Sequence, residues 1–114
     1  MQTLTLLTWP DYVDPQTLAA FEKEFDAVVN LEIVPSAVEL IERMKSGPAP
    51  DVLCPPDYAV RELGALNLLH VLDHSLLPNL KHLEPRFLHR RAHDADSRIS
   101  VVKDWGTTGF MYRS

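Results

Sequence analysis

The sequence predicts an α/β fold built on a parallel sheet, and three observations carry that prediction. Strand-like and helix-like segments alternate from Thr3 to about Leu66. Two helix starts carry capping signatures, Asp14-Pro15 and Ser36-x-x-Glu39. The first and third strand-like runs both end in proline-containing loops, TWPDY and CPPDY. Alternation of this kind implies right-handed crossovers and a sheet covered on both faces.

Thr3 to Trp9 is rich in Leu and Thr and too short for a core helix, so it reads as a buried strand. Asp14 is an N-cap and Pro15 stands at the first helical position. Leu18, Phe21 and Phe25 then recur at helical spacing up to about Asp26. Val28 to Val34 is the second strand. Ser36 and Glu39 form a capping box, Ala37, Leu40, Ile41 and Met44 define one apolar face, and Gly47 and Pro48 stop that helix. Asp51 to Cys54 is a short third strand broken by Pro55 and Pro56, and Ala59, Leu63 and Leu66 predict a third helix starting near Asp57. From Leu68 to Arg98 the pattern weakens. Pro78, Pro85 and the run HDADSR predict irregular chain with short helical turns, one at Pro85 to His89. Ile99–Val102 and Gly106–Tyr112 return to strand-like composition, so the chain is expected to end on extended segments.

With 114 residues, 46% hydrophobic and 24% charged, the chain has the size and apolar content of one compact domain. A net charge of -5 argues against a nucleic-acid or anionic-membrane surface, which needs a basic footprint, and favours cationic or neutral ligands. No apolar run approaches the roughly 18 residues of a spanning helix, and the N-terminus lacks the basic stretch and cleavage site of an export signal. A lone cysteine, Cys54, forms no internal disulfide.

In open parallel sheets ligands bind beyond the carboxyl ends of the strands, and in the order 2-1-3 the favoured crevice lies between the first and third. Those two ends are TWPDY and CPPDY. Each carries an acid followed by a tyrosine, so one crevice is expected to present Trp9, Asp11, Tyr12, Asp57 and Tyr58. Aromatic faces attract ammonium groups and carboxylates hydrogen-bond them with charge assistance, which suits an amine cation. Packing and capping explain the same residues differently: Trp9 and Tyr12 as the lid of a core, Asp57 as the N-cap of the third helix.

His70 with His74 and His89 with His93 have the spacing of helical metal ligands, but neither pair sits in a predicted helix or carries the Glu of an H-E-x-x-H site, so no metal is expected. Lys81, Arg86, Arg90 and Arg91 read as a solvated basic stretch. No phosphate-binding glycine loop or nucleophile elbow is present, so no cofactor is expected.

Four segments, LLTWPDYVDPQTLAAFEKEF, PDVLCPPDYAVREL, LDHSLLPNLKHLEPRFL and VVKDWGTTGFMY, together resemble in order and spacing the periplasmic substrate-binding proteins of polyamine ABC transporters, the spermidine/putrescine-binding family. The resemblance covers almost the whole chain. It implies a lobe of a type II binding-protein fold, a three-layer sandwich with a mainly parallel sheet of order 2-1-3 plus a crossover strand. In the family two lobes close on a linear polyamine, aromatic rings gripping its methylenes and carboxylates its ammoniums. The protein delivers it to a membrane permease and does no chemistry. The family's first loop, close to N-W-T-E-Y, places its Trp, acid and Tyr on Trp9, Asp11 and Tyr12. Its third-strand loop, close to P-S-T-Y, places its Ser on Pro56 and its Tyr on Tyr58. Pro10 and Pro56 replace hydroxyl residues of the family pattern, which removes hydrogen-bonding side chains and leaves open which amine fits.

The resemblance further implies that residues 1–114 are a single truncated first lobe, natural or engineered, with the crossover or hinge near 101–114. A periplasmic or lipid-anchored parent whose signal is absent from this chain is expected. Bare apolar surface and an open sheet edge then predict a homodimer that swaps the segment from Trp105 to Tyr112. The competing readings are a flavodoxin-like signalling or scaffold domain with Asp11 and Asp57 as a divalent-cation pocket, and an enzyme using Cys54.

Overall fold

A computed structural model describes residues 1–89, 92–107 and 109–113, and these fall into two compact units, residues 1–69 and the chain from 70 onward. In the first unit the order is β1 (Gln2–Thr8), α1 (Pro15–Phe25), β2 (Ala27–Ile33), α2 (Ala37–Ser46), β3 (Val52–Leu53) and α3 (Asp57–Ala65). The three strands form a parallel sheet of order β2-β1-β3, as predicted.

Local chemistry accounts for the starts of α1 and α2. Asp14 accepts hydrogen bonds from the Thr17 backbone N–H at 2.8 Å and the Thr17 hydroxyl at 2.7 Å, with Pro15 supplying a preset first residue. Ser36 Oγ accepts from the Glu39 N–H at 3.2 Å. The first helix ends on Asp26, whose left-handed backbone (φ 48°) an aspartate tolerates better than most residues.

Register divides the sheet into two unlike faces, because partners across parallel strands share a side and successive residues alternate. Leu7 lies beside Glu32 and Leu53. On that side Leu7, Leu40, Ile41, Met44, Ala59 and Leu63 form the core, with α2 and α3 as its cover. Glu32 is held there by Arg43 of α2 in a two-pronged pair, Nε to Oε2 at 2.9 Å and Nη2 to Oε1 at 3.0 Å. The opposite side aligns Leu4 with Val29, Leu6 with Leu31 and Val52, and Thr8 with Ile33. Right-handed crossovers place α1 on this side. Its Glu22 carboxylate accepts the Val29 N–H at 2.8 Å. No residue of α1 is fully buried, and Leu31, Ile33 and Val52 stay exposed.

The third strand is shorter than the predicted Asp51–Cys54. Asp51 turns its side chain into the ladder, Oδ2 accepting the Thr5 N–H at 2.8 Å, and beyond Cys54 the two prolines have no N–H to give.

The second unit contains 3₁₀ turns at His74–Leu76 and Pro78–His82 and a four-residue helix, α4 (Pro85–Leu88), close to the predicted turn at Pro85–His89. The expected extended terminal segments and crossover strand gain no ladder: among the described residues, 99–102 and 106–112 carry no strand, and the sheet consists of β1, β2 and β3. A strand exists only as a hydrogen-bonded pair, so strand-like composition alone does not make one of these segments. Arg90 and Arg91 of the basic stretch, and Thr108 within the terminal segment, lie outside the described residues.

Candidate functional site

The loops TWPDY and CPPDY leave adjacent strands at the same end of the sheet. Leu7 and Leu53 are register partners, and just beyond them the Cys54 N–H donates to the Leu7 carbonyl at 2.9 Å. The chain after β1 turns sharply because Pro10 fixes its own φ and Asp11 adopts a left-handed backbone (φ 56°). The loop then runs to Asp14, which caps α1. Trp9 is half-buried and packs against the core cluster of Leu7, Leu40 and Leu63. Tyr12 is half-buried, and Asp11 is exposed.

On the second loop, Pro56 is the N-cap of α3 and Asp57 is its first residue, so the expected capping role of Asp57 is taken by Pro56, whose side chain makes no cap hydrogen bond. The Asp57 carboxylate instead accepts the Tyr58 N–H at 2.8 Å, in the first turn where a helix favours negative charge. Both Asp57 and Tyr58 are exposed. The five predicted residues therefore follow two adjacent strands at one sheet end, Trp9, Asp11 and Tyr12 on the loop after β1 and Asp57 and Tyr58 in the first turn of α3. Three of them, Asp11, Asp57 and Tyr58, face solvent, while Trp9 divides its surface between the core and the loop.

The histidine pairs point elsewhere. His74 Nε2 lies 2.7 Å from the Ser97 carbonyl and His89 Nδ1 lies 3.1 Å from Asp96 Oδ1, so one ring of each pair engages the 94–97 loop. Among the described residues no three His, Cys, Asp or Glu side chains gather as metal ligands. Cys54 is a half-buried free thiol.

Sequence reasoning missed Asp94, treating HDADSR as plain irregular chain. The residue is 9% exposed, and its carboxylate accepts the N–H groups of Arg98 (3.0 Å), Ile99 (3.0 Å) and Ser100 (2.8 Å) and the Ser100 hydroxyl (2.7 Å). The signal was present in D-A-D-S: Asp96 and Ser97 take positive φ (38° and 50°), and short polar side chains of this kind mark turns that wrap around a carboxylate. A second unforeseen feature is Thr8, 1% exposed, whose Oγ1 has no hydrogen-bond partner among the described residues.

No family model matches the chain. It is 34% identical over 114 residues to the putrescine-binding periplasmic protein PotF of Escherichia coli K12, covering 97% of this chain and 30% of that protein. With spermidine/putrescine-binding periplasmic protein 1 of Haemophilus influenzae it shares 31% identity over 120 residues, covering 98% of this chain and 32% of that one. Among solved structures, the spermidine/putrescine ABC transporter substrate-binding protein PotD from Streptococcus pneumoniae superposes with a TM-score of 0.81 at 27% identity, over 86% of this chain and 30% of that chain. A spermidine/putrescine ABC transporter structure from Listeria monocytogenes gives 0.78 at 39% identity, over 82% and 29%. The chain thus spans about 30% of the length of the relatives it matches.

Proposed function

Since the chain is homologous to the periplasmic polyamine-binding proteins over about 30% of their length, we propose that it carries one side of an amine-binding site in the first lobe of such a protein. Residues 1–114 correspond in this reading to the start of that lobe, with the crossover or hinge near 101–114. Trp9, Tyr12 and Tyr58 supply aromatic faces and Asp11 and Asp57 supply carboxylates to a polyamine or related amine. The role is capture and delivery to an ABC permease from an extracytoplasmic compartment, with no chemistry performed on the ligand. The flavodoxin-like reading, which needs Asp11 and Asp57 as oxygen ligands of a hard cation, leaves the aromatics unexplained and is not favoured.

The observation that carries the proposal is the exit of the two acid-tyrosine loops from adjacent strands at one end of the sheet. Its test is a spermidine titration followed by tryptophan fluorescence, in wild type and Trp9→Ala, with a neutral amino acid as control. A saturable, spermidine-specific change that Trp9→Ala abolishes is the expected result. One side of a cage leaves the cation partly hydrated, so the affinity of the isolated chain should be weak. A response equal for spermidine and the amino acid, or one that survives in Trp9→Ala, overturns the proposal.

The exposed Leu31, Ile33 and Val52 on the α1 side of the sheet support a further part of this reading, that isolated copies of the chain associate as a homodimer, with exchange of the segment from Trp105 to Tyr112 as one route.

A further inference from the structure

We propose that Asp94 is a latch that fixes how the chain enters the 101–114 segment, and that it sets the position of Trp105 without touching it. The inference deepens the reading above, which takes 101–114 as the crossover. The loop it closes is tied down on every side. Asp94 gathers the N–H groups of Arg98, Ile99 and Ser100 together with the Ser100 hydroxyl. Ser97, fully buried, donates its hydroxyl to the Leu88 carbonyl at 2.9 Å, and its own carbonyl lies 2.7 Å from His74 Nε2. The Arg98 carbonyl accepts the Leu72 N–H at 2.8 Å. Five residues beyond Ser100, the Trp105 ring meets α4: its centroid is 5.6 Å from that of Phe87, and the Arg86 guanidinium lies 5.6 Å from it. The strap from 97 to 105 is therefore held at both ends against α4, at one end by Ser97 on Leu88 and at the other by Trp105 on Arg86 and Phe87.

The left-handed pair Asp96–Ser97 does not persist for its own sake, since neither residue prefers that backbone. It persists because three converging N–H groups need one acceptor, and a carboxylate with two oxygens is the group that serves all three. Such a latch sets the direction in which the chain leaves the 94–100 loop toward Trp105.

The test uses the whole chain with no ligand added, so its failure and the failure of the amine-site reading are separable. Asp94→Asn keeps the shape but turns one oxygen into an NH₂ donor, so at least one of the three backbone donors then faces another donor. In the variant, at least one amide among Arg98, Ile99 and Ser100 should exchange with solvent about tenfold faster or more. Amides of the β1–β2 ladder should keep their wild-type rates. In a Trp9→Phe background, where Trp105 is the one remaining tryptophan, its emission should shift to the red and its quenching by acrylamide should rise, a change that a purely local packing role of Asp94 would not produce. Ser100→Ala, which removes only the hydroxyl, should move both signals in the same direction by less, and it carries the test if Asp94→Asn does not fold. Wild-type exchange of the three amides at unstructured rates, or variants that leave either the amides or the Trp105 signal unchanged, would overturn the latch.

Discussion

Thr8 closes β1 with a hydroxyl that is buried and unpartnered among the described residues. A buried polar atom without a hydrogen bond forfeits its hydration and recovers nothing, so the isosteric apolar residue should be preferred there. Thr8→Val is expected to stabilise the chain by about 1 kcal/mol, read as a higher urea midpoint with an unchanged slope. A destabilised Thr8→Val would mean that the hydroxyl has a partner the geometry does not reveal. Leu63 gives the opposite case: it is fully buried among Leu7, Leu40 and Met44, and Leu63→Ala should cost about 2–5 kcal/mol in the same assay. At this scale the sequence was legible where side-chain type dictates environment. Leu40, Ile41 and Met44 form the core face that their spacing predicted. Phe21 and Phe25 share the same helical spacing, yet they lie exposed with rings 4.8 Å apart, because periodicity reports which face is apolar and not what covers it.

At the scale of elements, the helices were legible because their start signals are local. Asp14 caps α1 through two bonds to Thr17, and the Thr17 hydroxyl, followed by the Thr17 N–H, holds its carboxyl below the ordinary value of 3.8. A carboxyl depressed on folding contributes stability that is complete above its unfolded value and is lost as pH falls through the folded one. Asp14→Ala should therefore lower the urea midpoint at pH 7, and the gap from wild type should close well below pH 3.8. A gap that persists unchanged in acid would show that the cap acts without its charge. Arg43 ties α2 to β2 through Glu32, and its Nη1 also donates to the Pro48 carbonyl at 2.6 Å, so it sets both the tilt of the helix and the exit of its following loop. Arg43→Ala should cost about 1–3 kcal/mol, because the half-buried Glu32 is left without its counter-charge. The strands were legible only in part, for a physical reason. Strand propensity describes a segment, whereas a strand requires a partner edge, and among the described residues 99–102 and 106–112 join no ladder. The Asp94 loop was illegible for a related reason: its hydrogen bonds depend on a pair of left-handed residues that composition permits but does not require.

For the whole molecule, the decisive feature of the first unit is the imbalance between its two sheet faces. One face is sealed by α2 and α3 over Leu7. The other aligns Leu4, Leu6, Val29, Leu31, Ile33 and Val52, yet α1 buries none of its own residues there, and Leu31, Ile33 and Val52 remain exposed. Apolar area left in water costs about 25 cal/mol per Å², so a contiguous patch of this kind drives association when nothing else covers it. The edge of β2 offers less help to a partner, because Glu22 already occupies the outward N–H of Val29. Face-to-face burial is accordingly favoured over edge pairing. Light scattering on the isolated chain should show a mass that rises from monomer to dimer with concentration. Replacing Leu31 and Ile33 by threonine, which keeps β propensity while adding a hydroxyl to the exposed face, should return the mass to monomer at every concentration with the far-ultraviolet circular dichroism unchanged. A wild-type chain that stays monomeric throughout would remove the second copy as the cover of this face. A dimer that survives both substitutions would move the interface elsewhere, with the exposed segment of Phe110, Met111 and Tyr112 as the next place to cut.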